Sequence, residues 1–220
     1  MGLFYFLRHG EATWNAAGRF CGRTEVPLSN VGRQQAQLLA LRLKPLSIDA
    51  LYSSPLGRAL ETARRIGEAV GREPVVDQRL AELNYGAWEG LTLEEIRRAT
   101  PAAYRAWDAN PARRAPPEGE SGVHLVKRLT PFLREVAQRN ENGNVVVVCH
   151  KTVCRLLACH ILGVPLKEYR RRITVDNAAL SVFATVQGKW RVVTLNDTSH
   201  LTTPRAGVSI PSDINCSGAL

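Results

Sequence analysis

Apolar positions along this chain follow two periods, short continuous runs and helical stripes, and their alternation predicts the layout of the fold. Leu3 to Leu7 is an apolar run ended by Arg8-His9-Gly10, and it reads as a buried strand entering a loop. From Pro27 the period changes: Leu28-Ser29-Asn30 offers a cap, and Ala36, Leu39, Ala40 and Leu43 recur at helical spacing until Pro45. Ile48 to Tyr52 is a second strand that runs out into Ser53-Ser54-Pro55. Pro55 is suited to be the first residue of a helix that continues from Leu56 through Val70 and closes at Gly71. Asn144 to Cys149 holds four consecutive valines, apolar on both faces as in central parallel strands, and delivers His150 to a third strand end. A helix over Thr152 to Leu162 ends at Gly163, and Pro165 to Arg172 adds another helical stretch. Leu180 to Val186 and Trp190 to Leu195, joined through Gln187-Gly188-Lys189, form a hairpin.

The text between Val75-Val76 and Gly122 is less regular, with a loop at Leu83 to Gly90, a short helix at Leu93 to Arg98 and Pro-rich text at Pro111 to Pro117. Residues 78–122 therefore read as a small cap-like insertion over the sheet, the kind of excursion that supplies groups to a site and excludes water. Gly119-Glu120-Ser121 then opens a long amphipathic helix with Val123, Val126, Leu129, Leu133 and Val136 on one face, and Pro131 kinks or bounds it. The expected fold is α/β and three-layered: a mostly parallel central sheet with helices on both faces, as one domain over 1–201. Residues 202–220 have little apolar periodicity and read as a tail. A chain of 220 residues that is 45% hydrophobic can bury the core this needs.

No apolar run is long enough to span a membrane, and Leu3 to Leu7 is too short, and lacks the charged lead, for a signal peptide. Phe6 stands where a myristoylation signal carries Ser or Thr. The five cysteines, at 21, 149, 154, 159 and 216, are odd in number and lack disulfide-framework spacing. A soluble cytoplasmic protein is expected. Cys149, His150, Cys154, Cys159 and His160 invite a zinc reading, but on a helix Cys154 and Cys159 would sit about 140° apart around the axis, so no metal is expected. The net charge of +9 suits a nucleic acid, small anions or a solvated basic surface. The arginines are scattered, and no Gly-rich phosphate loop or basic-aromatic run appears, so nucleic acid is not expected as a partner.

Arg8-His9, Arg58 and His150 occupy equivalent places, each just past a strand or in the first turn of the helix that follows. In open α/β sheets that edge is where ligands bind, and a helix start favours an anion. Each residue also has an ordinary explanation: Arg8-His9 as a surface pair at a turn, Arg58 as an exposed helix residue, His150 as a satisfied core histidine, Glu82 as a solvated loop carboxylate. Taken together, two histidines and two arginines suit a phosphate dianion. Guanidinium groups match phosphate oxygens in pairs, a neutral imidazole can attack phosphorus, and Glu82 is the carboxyl suited to protonate the leaving alkoxide.

With these residues in order, the chain resembles the histidine phosphatase superfamily, the phosphoglycerate mutase-like family, from about Leu3 to Leu201. The matching text is Leu7-Arg8-His9-Gly10-Glu11, Thr13-Trp14-Asn15, Tyr52-Ser53-Ser54-Pro55-Leu56-Gly57-Arg58-Ala59, Leu80-Ala81-Glu82 with Gly86, Trp88, Glu89 and Gly90, Gly119-Glu120-Ser121 and Val145 to His150. The resemblance implies that His9 is the phosphorylated nucleophile, Glu82 the proton donor, and Arg8, Asn15, Arg58 and His150 the phosphate pocket. It implies no metal and no dissociable cofactor, a small anionic phosphate ester as substrate, and a homodimer. Lys151 departs from the family's usual glycine; it either adds charge beside the pocket or simply begins a helix. The Pro-rich segment is shorter than in the mutases, which favours hydrolysis over mutase action. Val175-Asp176-Asn177-Ala178 and Leu195 to Leu201 look like the metal-independent phosphoserine phosphatases, in which a histidine at the position of His200 helps hold the substrate carboxylate. Tyr85 stands where those enzymes can carry a second such histidine, and Cys21 replaces a more usual polar residue beside Gly22. Cys21, Gly22, Tyr85 and His200 are thus the expected substrate-facing residues, with phosphoserine first among substrates and sugar or nucleoside monophosphates next.

Overall fold

A computed structural model describes residues 1–201, so the expected tail and Cys216 lie outside the described residues. Strand β1 (Gly2–Arg8) leads through the short α1 (Thr13–Ala16) to α2 (Asn30–Leu43), β2 (Ala50–Ser53), α3 (Gly57–Val70) and β3 (Val75–Val76). Next come α4 (Leu93–Ala99), α5 (Pro101–Ala109), α6 (Gly122–Arg139), β4 (Asn144–Cys149) and α7 (Lys151–Leu162). The order closes with α8 (Tyr169–Arg172), β5 (Leu180–Val186) and β6 (Lys189–Asp197).

The six strands form one sheet in the order β3-β2-β4-β1-β5-β6; the first four are parallel, β5 runs antiparallel to β1, and β6 runs antiparallel to β5. Side chains alternate between the faces of a strand. Phe4, Phe6, Val145 and Val147 therefore join α6 and α7 in one core, while Tyr5, Leu7, Val146 and Val148 join α2 and α3 in the other. The fold is thus the expected three-layer α/β arrangement. Register sets up the site: Leu3 lies opposite Asn144 and Arg8 opposite Cys149, so β1 and β4 end level and release His9 and His150 side by side.

Several boundaries differ from the sequence pattern. The second strand begins at Ala50, and Ile48 buries its side chain against the α2–α3 core from the loop before it. Pro55 does not open α3, whose N-cap is Leu56 in an extended conformation with Gly57 as the first helical residue. Val123 does not share the buried face of α6: it is 42% exposed, and the stripe is Leu125, Leu129, Phe132, Leu133 and Val136. Val123 lies two positions before Leu125, about 200° around the axis. Pro131 lies within α6 without ending it. The Ala-rich text from Pro101 to Ala109, which carries no long apolar stripe, is helix α5 with Pro101 in its first turn. It exists to bury Tyr104 and Trp107 against Trp88 and Ile96, a small aromatic core separate from the two beside the sheet.

The loop after β1 is clamped to the start of α2. Ser29 Oγ accepts from the Gly32 N–H (3.0 Å) and donates to the Glu11 carboxylate (2.7 Å), while the Glu11 N–H donates to Gln35 Oε1 (2.8 Å). Backbones meet here: a Cβ on Gly10 would lie 2.2 Å from Gly32 O, and one on Gly32 would lie 2.0 Å from Glu11 O.

Candidate active site

His9 leaves β1 buried, 3% exposed, with its proton position fixed by the main chain. Its Nδ1 lies 2.6 Å from Gly10 O, which can only accept, so Nδ1 carries the hydrogen and Nε2 keeps a lone pair. Arg58 Nε–H donates to that Nε2 at 3.2 Å. Burial first, then the charges of Arg58 and Arg8, hold His9 well below the usual 6.5, so the ring is neutral. The arrangement is a buried imidazole whose one free lone pair faces guanidinium.

Both arginines are held by carbonyl oxygens. Arg58, in the first turn of α3, donates through Nη1 to Thr24 O (3.0 Å) and through Nη2 to Gly22 O (2.6 Å). Gly22 presents that carbonyl from the left-handed region (φ 51°), and the Glu89 carboxylate occupies the space a Cβ would need. Glu89 also accepts from the N–H groups of Arg23, Thr24 and Tyr85, tying the loop after α1 to the segment that carries Glu82. Arg8 Nη1 donates to Val175 O (2.9 Å), and burial lowers Arg8 to about 10, which leaves it charged at neutral pH.

His150 caps α7 and is wholly buried, its ring centroid 5.0 Å from that of His9. Ser54 Oγ, at the end of β2, accepts from the Leu56 N–H and lies 2.6 Å from His150 Nε2. Donation of the hydroxyl hydrogen to Nε2 places the ring proton on Nδ1, an atom buried without a partner. Burial, then Arg58, holds His150 well below 6.5 too. Glu82 is fixed at both oxygens by main-chain donors, Leu83 N to Oε1 (2.7 Å) and Thr152 N of α7 to Oε2 (3.1 Å).

Arg8, His9, Asn15, Cys21, Gly22, Arg58, Glu82 and Tyr85 line one cavity of about 390 Å³ over the strand ends. His150 is not among the lining residues; its ring packs edge-on against that of His9. Asn15 Nδ2 donates to Cys21 Sγ (3.3 Å), whose thiol is pushed up by burial. Tyr85 donates or accepts at Thr152 Oγ1 (3.1 Å), and burial pushes it up to about 12. His200 is not among the residues lining this cavity: it sits in the short helical turn Ser199–Leu201 with Nε2 3.1 Å from Ala178 O.

The cavity has a second wall, of which the sequence offered only Lys151. Lys151, Thr152 and Arg155 face it from α7, Arg170 from α8 and Trp107 from α5. Arg170 lies over the Trp107 ring, its guanidinium carbon 4.0 Å from the centroid, and bonds Asp108 at 2.6 Å. Lys151 thus both begins α7 and lines the site, and burial, with Arg8 and Arg155 near, lowers it to about 8. The i, i+4 spacing of Lys151 and Arg155 on one helix, directly after His150, was the available signal for this wall. Among the described residues, no three His, Cys, Asp or Glu side chains gather as a metal set, and no helix is long and apolar enough to cross a membrane.

Known proteins resemble this chain in sequence and in fold. Phosphoserine phosphatase 1 of Hydrogenobacter thermophilus is 37% identical over 195 residues, 89% of this chain and 92% of the relative. The solved structure of Bacillus stearothermophilus YhfR superposes with a TM-score of 0.86 at 31% identity, covering 92% of this chain and all of that one. A phosphoserine phosphatase mutant from Entamoeba histolytica, solved in complex with phosphoserine, gives 0.81 at 29% identity with the same coverage. The model of the histidine phosphatase superfamily (branch 1) matches residues 4–198, so the chain belongs to that superfamily and is a phosphatase acting on phosphate esters.

Proposed function

We propose that the protein hydrolyses O-phosphoserine by way of a phosphoryl group carried on His9 Nε2. The observation that carries the mechanism is the Nδ1–H···O contact of His9 with Gly10, which leaves Nε2 as the attacking atom. Arg8 and Arg58 bind the phosphate dianion, Arg58 Nε turning its hydrogen from His9 to a phosphate oxygen, and Asn15 and His150 Nδ1–H donate to the remaining oxygens. Nε2 bonds to phosphorus as the P–O ester bond breaks, and Glu82 gives its proton to the departing serine oxygen. Water then attacks the phosphohistidine, Glu82 takes the water's proton, and the P–N electron pair returns to His9.

Phosphoserine is favoured because the curated relative above bears that activity in its name and because basic side chains crowd the cavity. A reducing, cytoplasmic setting belongs to the same reading: Cys21, Cys149, Cys154 and Cys159 are free thiols, with the Cys149 and Cys154 sulfurs 3.4 Å apart, hydrogen-bonded and not joined as a disulfide.

Release of inorganic phosphate from a panel of monophosphates, with EDTA present, tests the proposal. Phosphoserine should give the highest kcat/KM, and His9→Ala should abolish both turnover and acid-labile labelling by substrate phosphate. Labelling that survives His9→Ala means another nucleophile. Faster turnover of sugar or nucleoside phosphates means another substrate.

A further inference from the structure

A phosphate dianion accounts for Arg8 and Arg58, yet the cavity is lined by four more cations, Arg19, Lys151, Arg155 and Arg170, against one carboxylate, Glu82. Two of the four are already engaged: Arg19 pairs with Glu95 (2.9 Å) and Arg170 with Asp108 (2.6 Å). Arg155 is different, because its Nε is buried without a hydrogen-bond partner, and so is the indole Nε1 of Trp107 in the same wall. Buried donors are ordinarily satisfied, and two residues of one cavity wall that each keep an unsatisfied donor mark that wall as short of an acceptor. The residues expected to hold a substrate carboxylate do not supply charge there. Tyr85 is neutral and bonded to Thr152, and His200 is tied to Ala178 O away from the cavity lining.

We infer that Arg155, supported by Lys151 one turn before it, is the specificity determinant for an anionic group on the leaving alcohol, so that the enzyme selects phosphate esters of hydroxy acids over those of uncharged alcohols. The inference rests on the hydrolysis described above and deepens it. Arg155 and Lys151 share the α7 face that starts at His150, so the helix that His150 caps also presents the distal cations. A smaller cavity of about 260 Å³, shared at Arg155 and Arg170 and flanked by Lys167 and Arg171 with Asp108 as its one carboxylate, extends a net positive surface outward. A guanidinium matches a carboxylate with paired hydrogen bonds, which a neutral hydroxyl group cannot return. Arg155 remains cationic although burial lowers it.

The test compares O-phosphoserine with O-phosphoethanolamine, which differ only by the carboxylate. The wild-type enzyme should favour phosphoserine in kcat/KM, and Arg155→Gln should reduce that preference by about 10- to 100-fold, mainly through KM, the loss of one charged hydrogen-bond pair. Arg155→Lys should restore part of it. An unchanged ratio in a folded Arg155→Gln protein, or no wild-type preference at all, overturns the inference while leaving phosphatase activity intact. Should phosphoserine itself not be turned over, 3-phosphoglycerate and glycerol 3-phosphate form the second pair. Preference for the carboxylate ester there, lost in Arg155→Gln, keeps the anion subsite and removes phosphoserine; equal rates remove both.

Discussion

The two ends of the cavity are built by different means. At the inner end four side chains are fixed by backbone: Gly10 O for His9, Gly22 O and Thr24 O for Arg58, Val175 O for Arg8, two main-chain N–H groups for Glu82, while His150 and Asn15 rest on the side chains of Ser54 and Cys21. At the outer end, side chains hold side chains, Arg170 on Trp107 and Asp108, Tyr85 on Thr152, with Arg155 left free at Nε. Main-chain carbonyls are largely indifferent to the identity of the residue that bears them, so the inner end tolerates sequence drift around it except at Gly10 and Gly22, where a Cβ has no room. The outer end changes with each substitution, and the proposed choice of substrate is placed there.

Breaking the inner end should have the largest effect. Glu82→Gln keeps the size and removes the transferable proton, and kcat for phosphoserine should fall by about 10²- to 10⁴-fold. The loss should be smaller with p-nitrophenyl phosphate, whose leaving group needs no proton; equal losses would mean that Glu82 acts other than as the acid.

At the outer end, Trp107→Ala removes the centre of the Trp88, Ile96, Tyr104 and Trp107 cluster, at a cost of about 3–5 kcal/mol for a buried aromatic. Because that cluster is separate from the sheet cores, the segment 78–122 should become the site of protease nicking while the sheet stays folded, as native-state hydrogen exchange would report. A single cooperative loss of both would erase the distinction.

Acid should act on the inner end, with His200, outside the cavity lining and also lowered by burial, adding in the same direction. His9 and His150 are neutral in the fold, their values pushed below 6.5, so below that pH the unfolded chain binds protons that the folded one refuses. Stability is therefore retained above about 6.5 and should fall as the pH drops, by up to about 1.4 kcal/mol per pH unit for each ring. Thermal melts between pH 7.5 and 5.5 check this, and His9→Asn/His150→Asn should flatten the slope.

The smallest effect is expected at Lys151. Its value near 8 means that charge is lost as pH rises through that point, among the neighbours Arg8, Arg155, Glu82 and Asp176. KM for phosphoserine should climb by about 2- to 3-fold between pH 7 and 9, within the usual range of a screened charge contact, and Lys151→Met should remove that climb.

Legibility in the sequence followed the same division. The strands carrying His9 and His150 were readable because apolar runs bounded by Gly and polar text leave little choice of structure, and strand ends then place residues together without knowledge of packing. Arg155 and Trp107 were not readable as site residues. Their position depends on how α5, α7 and α8 pack, and a helix rich in Ala with two aromatics carries no periodic stripe. Val123 failed for a related reason: stripe membership turns on rotation, and an apolar residue near the cap looks like the others. His200 was read from resemblance, and its ring lies with Ala178, away from the cavity lining.

The contact between Gly10 and Gly32 reaches further than packing. Helix α2 contributes no atom to the cavity lining, yet its first turn presses on the peptide whose carbonyl fixes the hydrogen of His9. A methyl group at either glycine would push the two backbones apart and release that carbonyl, letting the imidazole exchange tautomers. The lone pair of the proposed nucleophile is thus allocated by an element outside the cavity lining, and an enzyme redesigned for a new phosphate ester could replace the whole outer wall but would have to inherit both glycines together.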